Sequence, residues 1–348
     1  MCYDRRLTAA PALACDGMLS SAERFIPSRH GSKDKLQSQN SHRFTYKMRT
    51  DRDNDDKFYK LFQTNGYIAS IDVLSPSEAI ALRLAYDQWV NTLGRSHPIG
   101  DVRFKPHLLL PFINDVVRNE VIVSTVQAVL GTKDVLLWSS DFNVKEPNSG
   151  GYFSTHQDST YMGLEPANHG VTVWLAISDA DERSGCMTFI EGSHKFGQLP
   201  HVEGGEVTAG EDKDNMLSRK QYVDIGHIEI GKGRRVIAAL RAGQASLHHF
   251  HLLHKSGANN SSQQRIGLAL RYIAATVQQT GKVREAVTLI SGKMIHDGFD
   301  LEPSLPVGRR ASDFEIERGK AAHRDSMTRE KGNYFESSSV VREYDKRL

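Results

Sequence analysis

Residues 155–164 read THQDSTYMGL and set His156 and Asp158 two positions apart. On an extended chain that spacing points both side chains to the same face, about two residues of rise apart, so an imidazole and a carboxylate can reach one cation. The triplet alone carries little information. With 15 histidines and 42 acidic residues, roughly two H-x-[DE] triplets are expected by chance. The chain has four, the others being His201-x-Glu203, His227-x-Glu229 and His323-x-Asp325. Only His156-x-Asp158 lies in a β-rich segment. Two rivals fall in a polar insertion and the third in a polar tail.

A mononuclear site built on two histidines and a carboxylate needs a third ligand. The stretch HHFHLLHKSGANNSSQQR offers His248, His249, His251 and His254. Arg265 then opens the apolar run RIGLALRYI. A guanidinium buried there without a partner would be costly, so a bound anion is a physical reason for it. Arg271 has the same period-2 phase and is the rival for that role.

The elements that must position these groups are mostly strands. VLLWSSDFNVKEP, GVTVWLAISDA, CMTFIEGS, RRVIAAL, ASLHHFHLLH and RIGLALRYIAAT are short β-rich runs separated by Gly, Pro, Asn and Asp. With no helical pattern between most of them, they predict an antiparallel sandwich or jelly roll. Upstream, GYIASIDVL reads as a strand. SPSEAIALRLAYDQWVNTLG reads as a helix with a Ser75/Glu78 capping box and Pro76 at its first position. Leu82, Tyr86, Trp89 and Leu93 recur at helical spacing and Gly94 can end the element. A second helix is expected from Asn119 to Leu130, with Ile122, Val126 and Val129 on one face. Both apolar stripes predict packing against a sheet.

Three parts are expected along the chain. Residues 1–56 are polar, mixed in charge and read as a flexible extension. Residues 57–300 form the folded domain, with a charged insertion at 194–231 that reads as a lid-like loop. Residues 301–348 return to polar composition and either wrap the domain or trail from it.

Composition narrows the class. At 39% hydrophobic and 25% charged residues, the chain can build a globular core. No apolar run approaches the ~18 residues that span a bilayer, so no membrane partner is expected. A net charge of +2, without a basic stripe interleaved with aromatics, gives no case for nucleic acid. Cys2, Cys15 and Cys186 make no disulfide framework, which fits a reducing compartment. No signal peptide is read at the N-terminus, and the tail YDKRL is not a standard peroxisomal address, so a cytoplasmic location is expected. Oligomeric state is not legible.

The sequence resembles the phytanoyl-CoA dioxygenase-like branch of the iron(II)- and 2-oxoglutarate-dependent oxygenases. The resemblance rests on His156-x-Asp158, on VWLAISDADERSGCMTFIEGSHK, and on His254, Ser256, Gly257, Asn259 and Ser261 with Arg265 eleven residues after the histidine. It covers roughly residues 58–275. It implies a mainly β fold with flanking helices, built on a double-stranded β-helix (jelly-roll, cupin-like) core. It further implies Fe(II) held by His156, Asp158 and His254, with 2-oxoglutarate and O2 as cosubstrates and ascorbate as a possible reductant. Arg265 is then the anchor for the far carboxylate of 2-oxoglutarate, Ser256 a further hydrogen-bond donor, and Trp174 part of the cosubstrate pocket. The implied reaction decarboxylates 2-oxoglutarate to succinate and CO2 and hydroxylates a small molecule. Halogenating relatives lack the metal carboxylate, so Asp158 favours hydroxylation, while desaturation or ring formation would use the same ligands.

Two other classes compete. A jelly-roll binding or sensor protein would keep the pocket without turnover, although a degenerate oxygenase is expected to lose one of the ligands. A zinc hydrolase can use two histidines and a carboxylate, but it leaves Arg265 unexplained. An acyl-CoA substrate would call for a basic rim, and Lys213, Arg219 and Lys220 stand among acidic neighbours. Lys145 reads equally as a pocket residue or a solvated strand end. Trp138 and Asn143 read as pocket lining or structural. Gln157 is expected to face away from the metal, and Cys186 to be a small buried residue.

Overall fold

The computed structural model describes residues 52–98, 100–203, 213–217, 220–225, 233–280, 284–305, 309–317 and 320. All belong to one compact unit, Phe44–Leu348. His227-x-Glu229, His323-x-Asp325, Cys2, Cys15 and Arg219 lie outside the described residues.

Two antiparallel sheets make the jelly-roll core. The larger has the order β1 (Tyr67–Asp72), β10 (Gln244–His249), β5 (Gly170–Ala176), β12 (Arg265–Ala274), β2 (Val135–Lys145), β14 (Ala286–Ser291) and β15 (Asp300–Leu301). Only the edge pair β14–β15 is parallel. The smaller sheet runs β3 (Phe153–His156), β11 (His254–Ser256), β6 (Met187–Ile190) and β9 (Arg235–Ala238). Two-residue strands pair outside these sheets: β4 (Leu164–Glu165) with β13 (Gln278–Gln279), and β7 (Val202–Glu203) with β8 (Gln221–Tyr222).

Strand β12 explains how the large sheet serves two layers. Its even residues Ile266, Leu268, Leu270 and Tyr272 join the core beneath the helices. Its odd residues Arg265, Ala269 and Arg271 face the pocket inside the roll. Side chains alternate along a strand, so one apolar run supplies both a packing face and a chemical face.

The helices cover the outer face of the large sheet. α1 spans Arg52–Asn65 and buries Phe58 and Phe62, so helix already occupies the end of the expected N-terminal extension. The pair is four residues apart and therefore on one side of the helix. α2 (Pro76–Thr92) carries the predicted capping box: Ser75 Oγ accepts from the Glu78 amide, and the Glu78 carboxylate accepts from the Ser75 amide. It buries Ala79, Leu82, Tyr86 and Val90, so the stripe ends on Val90 rather than on Leu93. Two short helices, α3 (Pro106–Leu109) and α4 (Pro111–Val116), were not expected. Each begins on a proline, whose fixed φ suits a first helical position, but neither is long enough to show a period. α5 (Glu120–Leu130) follows the predicted pattern, capped by the Asn119 side chain and closed by Gly131.

The described residues after 300 pack on the domain. Leu305, Ala311 and Ile316 cluster with Leu108. Glu302 is buried and takes an ion pair from Lys105 and hydrogen bonds from His107 and Thr288. Among the described residues, no helix is long and apolar enough to cross a membrane.

Candidate active site

The smaller sheet brings the ligand candidates together. His254 on β11 pairs in register with His156 at the end of β3, and their ring centroids are 4.1 Å apart. Asp158 opens a 3-10 turn (Asp158–Tyr161) just beyond β3. Gln157 between them keeps an extended backbone (φ −117°, ψ 135°), so the alternation survives the end of the strand. Candidate donor atoms of His156, Asp158 and His254 all lie within 4.8 Å of one another, and all three residues are buried. Asp158 Oδ1 is 3.7 Å from His156 Nε2 and 3.8 Å from His254 Nε2.

Each imidazole is fixed by its other nitrogen. His156 Nδ1 contacts Ser154 O at 2.7 Å, and His254 Nδ1 contacts Leu252 O at 2.9 Å. A carbonyl only accepts, so Nδ1 of each ring carries a proton and Nε2 is the atom turned toward Asp158. Burial holds His254 far below the usual imidazole pKa, reinforced by His156 and His248, so it is neutral and available as a ligand. Burial alone would raise the Asp158 carboxyl. His156, His248, Arg271 and His254 outweigh it and keep Asp158 well below the usual carboxylate range. Asp158 Oδ2 accepts from Thr172 Oγ1 at 2.5 Å and lies 3.2 Å from His248 Nε2. Oδ1 thus faces the two ligand histidines while Oδ2 is held from behind, an arrangement suited to a monodentate carboxylate ligand.

Of the four histidines that competed for the third position, only His254 joins the cluster. His248 contacts the rear oxygen of Asp158. His249 and His251 stack beside each other, and His249 also packs on Phe62 and His194. Burial lowers His249 to about 3 and His251 to about 4. His201 of the rival triplet is engaged with Thr160 and the Gln157 amide. Gln157 faces away as expected, bonding Gly197 O, His251 O and the Leu199 amide.

The second cluster lies on the large sheet in the same pocket. Arg265 on β12 stands directly opposite Lys145 on β2, and both are 1% exposed. Arg265 Nη1 donates to Gly185 O at 3.2 Å, but its buried Nε has no hydrogen-bond partner among the described residues. Its guanidinium lies 5.1 Å from the Trp174 ring centroid. Lys145 Nζ donates to Ser256 Oγ at 2.5 Å, to Ser256 O at 3.1 Å and to Gly257 O. Neither cation has a carboxylate partner among the described residues. Burial and then Arg265 drive Lys145 down to about 6; burial lowers Arg265 to about 10. The Ser256 hydroxyl donates to Gly185 O at 3.0 Å. Ser256 Oγ thus accepts from Lys145 and donates to Gly185 O, the same carbonyl that Arg265 Nη1 reaches. The sequence signal for Lys145 was ambiguous because a lysine at a strand end is usually solvated.

Trp174 lines the same pocket at 4% exposure, with Nε1 directed at Asn143 Oδ1. Its ring is seated by Gly267, where a Cβ would lie 1.8 Å from Trp174 Cζ2. Asn143 and Trp138 also line the pocket, although Trp138 Nε1 is committed to Glu285 Oε2 at 2.8 Å. Cys186 is a buried free thiol raised to about 11, first by burial.

The donor set fits a divalent first-row metal with open positions, since two imidazoles and one carboxylate gathered at one point match the facial triad. The buried Arg265 guanidinium, its Nε unmatched among the described residues, fits a carboxylate nearby. Fold and site therefore define a jelly-roll protein with a metal-competent triad in the same pocket as a buried Arg265/Lys145 pair. The sequence model of the phytanoyl-CoA dioxygenase (PhyH) family matches residues 62–267, and the chain belongs to that family. It is 30% identical over 179 residues to a phytanoyl-CoA dioxygenase domain-containing protein 1 homolog of Caenorhabditis briggsae, covering 50% of this chain and 58% of that one. It is 31% identical over 172 residues to a probable alpha-ketoglutarate-dependent hypophosphite dioxygenase of Stutzerimonas stutzeri, covering 49% and 56%. The chain thus spans under two thirds of the length of these curated relatives. Among solved structures, the apo form of the non-heme monooxygenase ThoJ superposes with a TM-score of 0.59 at 25% identity, over 77% of this chain and 98% of that one. EctD from S. alaskensis, solved with 2-oxoglutarate and 5-hydroxyectoine, shares the fold at a TM-score of 0.53 and 17% identity, over 71% of this chain and 87% of that one.

Proposed function

We propose that this protein is an Fe(II)- and 2-oxoglutarate-dependent dioxygenase that hydroxylates a small molecule. The observation that carries the reading is the presence, in one pocket, of the convergent His156, Asp158 and His254 and of the buried, carboxylate-free pair Arg265 and Lys145. His156, Asp158 and His254 would hold the metal and leave positions open for cosubstrate and O2. Bound there, Fe(II) supplies the redox chemistry that couples oxidative decarboxylation of 2-oxoglutarate, to succinate and CO2, with oxidation of a substrate C–H bond.

The chain's own residues do the rest. Arg265 and Lys145 receive the far carboxylate of 2-oxoglutarate, and Ser256 fixes the Lys145 ammonium. Trp174 walls the cosubstrate and excludes water from its chain. Thr172 and His248 keep Asp158 ionised and correctly turned. Met162, Met187, Met216 and Leu217 give the pocket apolar walls; the last two come from the 194–231 insertion, which supports its role as a lid. Retention of Asp158 favours hydroxylation over halogenation. The intact triad and anion corner favour turnover over a sensor role, and the anion corner has no use in a zinc hydrolase. The buried free thiol of Cys186 agrees with a cytoplasmic setting.

The test is succinate formation and oxygen uptake on adding Fe(II), 2-oxoglutarate and ascorbate, screened across small-molecule candidates. Zinc-supported hydrolysis, or 2-oxoglutarate binding without any succinate under the whole screen, would replace this reading.

A further inference from the structure

The pocket also holds two arginines, Arg271 and Arg103, that this reading does not use. Arg271 lies six residues beyond Arg265 on β12, with the same phase. An extended strand separates their Cα atoms by roughly 20 Å, so Arg271 belongs to a different part of the pocket from the Lys145 corner. Its Nη1 is 3.7 Å from Asp141 Oδ2 and its Nε 4.0 Å from Asp158 Oδ2. Both separations exceed a hydrogen bond, and the guanidinium makes no hydrogen bond among the described residues. Arg103, at the end of a 3-10 turn (Gly100–Arg103), enters the same pocket from outside the sheets. Its Nη2 reaches both oxygens of Asp141 at 3.2 and 3.3 Å. Its Nε is buried without a partner among the described residues.

The charge count leaves a vacancy for an anion. Asp158 is committed to the triad, Thr172 and His248. Asp141 also accepts from Asn143 Nδ2 at 2.9 Å, so one carboxylate is shared between two guanidinia and an amide. Each guanidinium has five N–H donors in a rigid fork. Most donors of Arg103 and Arg271 are therefore left over, in a pocket whose other walls include Phe104, Trp138 and Met162. A half-buried guanidinium with unspent donors beside apolar walls suits an acidic group attached to an apolar body.

We propose that Arg271 and Arg103 form the recognition site for an acidic group, carboxylate or phosphonate, on the prime substrate. The assignment rests on the dioxygenase reading of the same pocket and narrows its substrate class to organic acids.

The full chain, loaded with Co(II) in place of Fe(II) and saturated with 2-oxoglutarate, is titrated calorimetrically with hexanoate, hexylphosphonate and uncharged hexanamide. At least one acid should bind about tenfold or more tightly than the amide, as expected for charge-assisted hydrogen bonds. Which acid binds better distinguishes the two sources of the anion. Arg271→Gln should abolish the preference for acid over amide, and Arg271→Lys should restore part of it. Amide affinity reports whether each variant keeps its pocket. Should Arg271→Gln lose amide binding as well, Arg103→Gln, outside the sheets, carries the same comparison. The proposal is overturned if neither acid binds the wild type, if acid and amide bind equally, if the preference survives in Arg103→Gln and Arg271→Gln, or if the variants change only 2-oxoglutarate affinity. Failure of the wild type to take up Co(II) and 2-oxoglutarate would instead count against the dioxygenase reading.

Discussion

Arg265 and Lys145 face each other in register across β12 and β2, both buried and neither paired with a carboxylate among the described residues. A guanidinium and a lysine side by side and removed from water disfavour each other's charge until an anion joins them. Replacing Arg265 by Gln should therefore weaken 2-oxoglutarate binding by about 10- to 100-fold, the value of charge-assisted hydrogen bonds. Co(II) affinity should change far less. Calorimetry of metal and cosubstrate separately checks this, and an unchanged 2-oxoglutarate affinity would remove Arg265 as the anchor.

Lys145 makes that binding pH-dependent. Its pKa is lowered to about 6 by burial and by Arg265, so without ligand it is mostly neutral above that pH. A carboxylate placed against it favours the charged form and raises the pKa again. Binding should then take up a proton, and 2-oxoglutarate affinity should fall as pH rises above about 6. Calorimetry in buffers of different protonation enthalpy measures the uptake. Lys145→Met should eliminate it.

Thr172 and Asp158 separate support from ligation. Asp158→Ala or His156→Ala should abolish metal uptake and any metal-dependent succinate formation. Thr172→Val removes only the hydroxyl that holds Asp158 Oδ2. It should lower metal affinity by about 10- to 100-fold, the usual cost of losing a partner that orients a ligand. Metal titration of the three variants gives the ranking directly.

Gly267→Ala should disturb the pocket without touching a polar group. Its Cβ would collide with the Trp174 ring. Overpacking of this kind costs about 1–3 kcal/mol, and the displaced indole would intrude on the cosubstrate. A lower thermal midpoint together with weaker 2-oxoglutarate binding is the expected outcome.

Lys105 and Glu302 tie the segment after β14 to the sheet. Burial would raise the Glu302 carboxyl, but Lys105 and His107 hold it at about 2. Lys105→Met leaves that carboxylate without its main partner and should destabilise the fold by about 3–5 kcal/mol, as for other broken buried pairs. Denaturant unfolding checks the value. The Glu302 contribution is complete above the unfolded carboxylate pKa and is lost as pH falls through about 2.

Much of this architecture was written locally. The α2 cap is legible because Ser75 and Glu78 are three residues apart and complete each other. The β-rich runs are legible because strands are short and apolar between turn residues. The triplet at His156 could be read as a pair because its geometry depends only on alternation. The short helices α3 and α4 were missed because four or six residues show no period. Helix α1 starts inside the stretch that polar composition marks as an extension, because Phe58 and Phe62, with Leu61 beside them, pack on the core.

Sequence by itself determined the residue types available for chemistry and, through local periodicity, most of the elements that carry them. Tertiary structure decided which of them meet. His254 rather than His248, His249 or His251 joins His156 and Asp158 in one cluster because β11 lies beside β3 in one particular register. Lys145 became a buried cation because β2 pairs with β12 opposite Arg265, and Arg271 was separated from it by six residues of extended strand. Strand register is set by packing between segments far apart in the chain, and a one-residue slip would turn every one of these side chains to the other face.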